Sequence, residues 1–168
     1  MVGKMSSDKA MGAENQQERL TNIGWIVGFV DGEGCFHVSI NSHREMTTGY
    51  QVLPEFTVVQ HLRDVQVLHA LKAYFGCGVI RKNHGDRMAY RVRSIQHLDQ
   101  IIVPFFEKHL LKTKKRVDFI KFRRIILMIR KGHHLTKNGI EEIRSIKQQM
   151  NHGKLRYSPA LLETEERI

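Results

Sequence analysis

The stretch Ile26–Gly34, "IVGFVDGEG", decides how this chain is read. Gly24, Gly28 and Gly32 recur four residues apart. In a helix they line one face, and a face without side chains lets another backbone come close. Asp31 and Glu33 follow at the C-terminal end, where the helix dipole favours cations. Two readings fit acids set against the dipole beside glycines. In one, acid and backbone oxygens hold a divalent metal. In the other, a glycine packing face ends in two solvated acids.

After this stretch the period changes. In Cys35–Asn41, Phe36, Val38 and Ile40 share one face while His37, Ser39 and Asn41 share the other, which predicts a half-exposed strand. A polar connection, Asn41–Gly49, leads to a second alternation over Tyr50–Gln60. There Tyr50, Val52, Pro54, Phe56 and Val58 oppose Gln51, Leu53, Glu55 and Thr57. Pro54 predicts an edge position or a bulge. Asp64 opens a helix with Val65, Leu68, Leu71 and Phe75 on one side, and Gly76 stops it. Gly78–Asn83 and Met88–Arg93 predict a second hairpin. Ser94 caps a helix broken near Pro104, Thr113 opens a long helix to about Arg130, and Asn138 with Glu141 has the capping-box pattern of a last helix. That last helix carries the stripe Ile140, Ile143, Ile146 and Met150 and ends at Gly153. Asn22 is placed to cap the first helix, which runs to about Val30 or Asp31.

The expected fold is α+β: a four-stranded antiparallel sheet of two hairpins, one face covered by helices, in the order αββαββα with further C-terminal helices. The chain has 168 residues, enough for one domain with a real core. That domain is expected over residues 19–152, between a flexible N-terminal segment, 1–18, and a C-terminal tail, 153–168.

Charge narrows the partner. Lys and Arg number 27 against 17 Asp and Glu, a formal net charge of +10, with a pI near 9.9. Such an excess points to a polyanion, most simply nucleic acid. Cys35 and Cys77 form no metal-binding spacing and imply a reduced compartment. No apolar run reaches membrane-spanning length. The first 20 residues lack an apolar run and include Asp8, Glu14 and Glu18, which argues against a secretory signal or transit peptide. A protein encoded inside a chloroplast or mitochondrion would need neither.

Two further features point to nucleic acid. The outer face of the predicted sheet carries His37, Ser39, Asn41, Gln51, Glu55, Thr57, Arg81, Asn83, Arg91 and Arg93. Arg reads guanine bidentately, Asn and Gln read adenine, Glu accepts from cytosine, and a two-stranded ribbon fits the major groove. The bland alternative is ordinary solvent exposure. The run "KTKKR", Lys112–Arg116, sits at a helix N-terminus, where the dipole disfavours cations. A phosphate backbone against Lys114 and Lys115 would resolve that conflict; so would a helix that begins late.

"IVGFVDGEG" resembles the single-copy LAGLIDADG motif of homing endonucleases. Ile26 and Val27 stand where that family usually has Leu-Ala, and Glu33 where Asp is commonest. The order of elements extends the resemblance over Thr21–Met150. The resemblance implies a homodimer whose glycine-lined helices pack together through Gly24 and Gly28, with Asp31 bonding to the partner's helix. It implies Glu33 as the metal-binding acid, the Gly32 carbonyl as a further metal ligand, Gln60 positioning the nucleophilic water and Lys112 stabilising the scissile phosphate. Arg63 is a looser candidate for that basic role. The implied cofactor is Mg²⁺, with Ca²⁺ able to bind without supporting cleavage. The implied partners are double-stranded DNA and a second copy of the chain, with no membrane. The implied activity is a double-strand break with short 3′ overhangs in a pseudo-palindromic site of roughly 20 base pairs, promoting intron mobility. An RNA-binding intron maturase and a non-cleaving DNA-binding protein are the alternatives. Exposed aromatics for stacking single-stranded RNA are sparse on the assigned strand face.

Overall fold

The computed structural model describes residues 22–151. The expectations for segments 1–18 and 153–168, and for Gly153, lie outside the described residues.

The chain is helical over 22–33 (α1). The helix runs to Glu33 rather than to Val30 or Asp31, and Asn22, expected as its cap, is already helical. Ile26, Val27 and Val30 face the core. β1 (Gly34–Ser42) follows with no linker. A Cβ on Gly34 would lie 2.6 Å from Val30 Cγ1 and 2.7 Å from the Val30 carbonyl oxygen, so this turn from helix into strand needs glycine.

β2 (Tyr50–His61) pairs antiparallel with β1 from Gly34↔Val58 to Ser42↔Tyr50. The second hairpin joins β3 (Val79–Lys82) to β4 (Arg87–Val92). The strand order β1-β2-β4-β3 sets the two expected hairpins side by side. Although β2 is an inner strand, its ladder with β4 begins only at Phe56. Pro54 therefore has β1 alone beside it, and the edge its presence predicted is local.

Between the hairpins a 3₁₀ turn, Leu62–Asp64, precedes α2 (Gln66–Phe75), so this helix starts after Asp64 rather than at it. Leu68, Leu71 and Phe75 are buried, and Gly76 ends the helix at φ 65°. After β4, Ser94 caps α3 (Ile95–His97) by accepting from the His97 amide. The backbone then widens into a π-helix, Leu98–Ile102, and tightens again into α4 (Val103–Lys108). The expected break is this π turn. Pro104 lies in the first turn of α4, where a missing N–H needs no helical partner.

α5 (Lys115–Arg130) begins two residues after Thr113. α6 (Lys137–Gln148) is capped by Thr136, whose hydroxyl accepts from the Gly139 amide at 3.1 Å. The Asn138–Glu141 pattern thus lies inside the helix. The reason is the preceding 3₁₀ turn, His133–Leu135. It delivers Thr136 in the extended conformation an N-cap requires, φ −118° and ψ 149°. Ile140, Ile143, Ile146 and Met150 are buried as the stripe required.

The helices cover the sheet face that carries Phe36, Val38, Phe56, Val58, Tyr90 and Val92. The fold is the expected α+β layer pair. Phe36 is its hub: fully buried, its ring centroid lies 5.3 to 5.6 Å from those of Phe56, Phe106, Phe119 and Phe122. No helix among the described residues is long and apolar enough to cross a membrane. Replacing Phe36 by Ala should remove about 3–5 kcal/mol of stability. Urea denaturation would show this as a lower midpoint at unchanged slope. An unmoved midpoint would mean the surrounding rings hold sheet and helices together without it.

Candidate active site and nucleic-acid interface

The expected catalytic groups converge on the C-terminal end of α1. Glu33 is the last helical residue and is exposed, as is Gly32. The last carbonyls of a helix lack intrahelical partners, so the Gly32 oxygen is placed to ligate. Asp31 has a different environment. Its carboxylate accepts from the Lys112 amide at 2.7 Å, the Thr113 amide at 3.2 Å and the Thr113 hydroxyl at 2.8 Å. These bonds lie within the chain, beside those that the resemblance implies to a partner's helix. In return, the Lys115 ammonium donates to the Gly34 carbonyl. Lys115, expected on a phosphate, is drawn half-buried against the end of α1.

These contacts position the other two candidates. Lys112 is exposed, with its backbone held by Asp31 beside Glu33. The register Gly34↔Val58 carries Gln60 past the start of β1, toward the end of α1. Gln60 shares the parity of buried Phe56 and Val58 but is only half-buried itself. Its side-chain oxygen accepts from the His61 amide at 2.8 Å, which leaves its NH₂ as the group to offer a water. Arg63 is exposed and pairs with Asp64 at 3.3 Å. Among the described residues no three His, Cys, Asp or Glu side chains gather as a metal site. One chain brings the Glu33 carboxylate and the Gly32 carbonyl. Both are hard oxygen donors of the kind Mg²⁺ and Ca²⁺ take, and ligands from outside the chain must complete the set.

The glycine face of α1 is open. Among the described residues, a Cβ on Gly24, Gly28 or Gly32 would meet nothing within 4 Å. Gly24 and Gly28 line a groove with Ile23, Val27, Asp31, Lys108, His109, Leu110 and Lys112. Burial, then the charge of Lys108, pushes the His109 imidazole below its ordinary value, and its ring lies tilted against that of Phe105, centroids 4.9 Å apart.

The outer sheet face gathers the expected readers by register: His37 opposite Glu55, Asn41 opposite Gln51 and Thr57 opposite Arg91. They are not equally available. The Thr57 hydroxyl donates to the Tyr90 carbonyl at 3.1 Å. His37 and Ser39 bond to each other at 3.0 Å. Glu55 lies between Arg91 and Arg93, and Arg91 donates to Asn83 at 3.1 Å. Asn41 and Arg81 are exposed. Arg87 and Leu53 also lie on this face, and both are exposed. Arg87 was missed because β4 begins one residue earlier than the alternation implied. Leu53 falls outside a pattern of polar readers, and an apolar group there suits a thymine methyl.

Behind the sheet three arginines of α5 have acidic partners. Arg123 bonds Glu107, Arg124 bonds Glu142 at 2.8 Å and Arg130 lies 3.4 Å from Asp99. Cys35 and Cys77 are free thiols. Burial pushes Cys35 up, against the lowering effect of Lys115, which keeps it protonated.

A family model for LAGLIDADG endonucleases matches residues 26–126, and the chain belongs to that family. Among solved structures it is similar to a homing endonuclease, I-TnaI, at 56% identity and a TM-score of 0.75, covering 86% of this chain and 95% of that one. It is also similar to I-SmaMI, solved bound to an uncleaved DNA target in the presence of calcium ions. That match has 33% identity and a TM-score of 0.76, over 78% of this chain and 45% of that one. A probable intron-encoded endonuclease of Neurospora crassa is 33% identical over 134 residues, 79% of this chain and 30% of its own length. The chain spans between 25% and 30% of the length of the first curated relatives it matches.

Asp31→Ala would strand two amides and a hydroxyl ahead of α5. The expected loss is about 1–3 kcal/mol, measurable by urea denaturation, with faster amide exchange at Lys112 and Thr113. Unchanged stability would show that Asp31 works only across an interface.

Proposed function

We propose that this chain is a site-specific DNA endonuclease working as a homodimer, with Mg²⁺ as its metal. The observation that carries the reading is on α1 alone: an open glycine face on the same helix as an exposed terminal acid. One Glu33 per chain cannot complete a metal site, whereas two brought together by a two-fold axis can. Packing the Gly24 and Gly28 faces of two copies against each other would bring the two α1 ends side by side.

The chain's own groups then have defined tasks. Glu33 and the Gly32 carbonyl hold the cation. Gln60 donates from its NH₂ to orient the attacking water. Lys112 offers a positive charge to the scissile phosphate, its backbone fixed by Asp31. When bound, the divalent ion generates the nucleophile and neutralises the leaving oxygen. Asn41, Gln51, Arg81, Arg87 and Arg93 meet base edges from the open sheet face, and Lys114 meets the phosphate backbone. The DNA-bound neighbour and the intron-encoded relative support this reading. By the same likeness the gene lies in a mobile intron, organellar where that intron is, and cleavage with short 3′ overhangs promotes the intron's spread.

Glu33→Gln should cut cleavage of a selected target by at least about a hundredfold while a gel shift shows the same duplex affinity. Loss of binding together with folding would make Glu33 structural. A Cβ at position 28 meets nothing within 4 Å among the described residues, and Gly28→Leu should stabilise the helix by about 0.5–1 kcal/mol. In sedimentation it should nevertheless run as a monomer where the parent runs as a dimer. A fully dimeric variant would sink the interface assignment.

A further inference from the structure

The outer sheet face carries a chain of contacts that sorts its polar residues into two kinds. Arg91 Nη2 donates to Asn83 Oδ1 at 3.1 Å. Arg91 Nε faces Glu55 Oε1 at 3.8 Å, and Glu55 Oε2 accepts from Arg93 Nε. Exposure runs along the same line. The Glu55 side chain is 13% exposed, that of Arg91 27%, and that of Arg93 65%.

We propose that Glu55 does not itself contact a base but is a positioning residue that aims Arg93 at one, held in place from behind by Arg91 and Asn83. This deepens, and rests on, the DNA-reading assignment above. The geometry supports it at the atom level. Glu55 takes Arg93 by its Nε edge. A guanidinium is planar with donors on two edges, so the Nη1–Nη2 edge stays open for a bidentate contact with guanine O6 and N7. A free arginine loses its rotamer freedom on binding; one already held by a carboxylate loses less. Both Glu55 oxygens face arginines, so accepting from a cytosine amino group would require one of those pairings to be given up. The carboxylate also removes one positive charge from the face, which weakens sequence-independent attraction to phosphates.

The test is a set of binding profiles on a randomised duplex library, for the parent, Glu55→Gln, Arg93→Lys and the double variant. Circular dichroism checks that each is folded. Glu55→Gln should lose about tenfold or more in preference at one base pair of each half-site. Arg93→Lys should lose preference at that same pair, and the double variant should lose no more there than Arg93→Lys alone. Glu55→Gln should also bind an unrelated duplex more tightly than the parent at low salt. Two results overturn the proposal while leaving the endonuclease reading intact. One is a Glu55→Gln profile altered at a base pair different from that of Arg93→Lys, which would make Glu55 a direct reader. The other is a Glu55→Gln profile unchanged from the parent. If Glu55→Gln does not fold, Arg93→Lys decides: its exposed side chain is expendable for folding, and an unaltered profile rejects Arg93 as the reader. A parent that enriches no sequence at all rejects the DNA-reading assignment, and this proposal with it.

Discussion

Two helix ends in this chain carry the wrong charge for their own dipoles, and each supplies what the other needs. α1 ends in an acid and α5 begins among lysines. Taken singly, each placement is unfavourable by about 0.3–1 kcal/mol. In the fold the two ends meet. Asp31 accepts from the amides and hydroxyl just ahead of α5, and Lys115 donates to the carbonyl just after α1. The anion thus sits at a helix start and the cation at a helix end, as the dipoles favour. No phosphate is required to explain Lys115.

The proposed chemistry depends on this exchange. Lys112 lies in the connection between α4 and α5, 79 residues after Glu33, and the bonds from its amide and from Thr113 to Asp31 tie that connection to the end of α1. Gln60 arrives by a separate route, the β1–β2 register counted from Gly34. Gly34 belongs to both routes: it starts the strand and offers its carbonyl to Lys115. A small tilt of α1 would therefore move all three candidate groups relative to one another. The helix is steadied on its other side, where Ile26, Val27 and Val30 are buried, while a Cβ on its glycine face would touch none of the described residues.

Local patterns were legible in the sequence, and distant pairings were not. Alternation gave both hairpins and the buried set Phe36, Val38, Phe56, Val58, Tyr90 and Val92, because a side-chain period of two is a property of the strand itself. Boundaries slipped where a neighbour decides them. Thr136 outranks Asn138 as a cap because a 3₁₀ turn sets its backbone. Pro104 sits in a continuous helical run because a π turn precedes it. Glu33, Gln60 and Lys112 could be proposed by resemblance, but the use of Asp31 could not. Its partners lie 81 and 82 residues away, and nothing in "VDGEG" announces them. The same holds for the arginines of α5. As a run they read as one positive field, whereas Glu107, Glu142 and Asp99 come from other elements to meet them.

That pairing bears on where a polyanion would land. Exposed ion pairs such as Arg124–Glu142 contribute only about 0–1 kcal/mol to stability, so their effect on the fold is small. Their effect on the field is larger. Each cancels a charge on the helical side, whereas the outer sheet face presents Arg81, Arg87, Arg91 and Arg93 against Glu55. Near the end of α1 the Asp31 carboxylate accepts from the Lys112 and Thr113 amides. Field falls off within a Debye length of about 8 Å at physiological salt, so only charges near its surface steer an approaching duplex. The arginines of the outer sheet face stand among the side chains proposed to read bases, so their attraction acts at the surface proposed for reading.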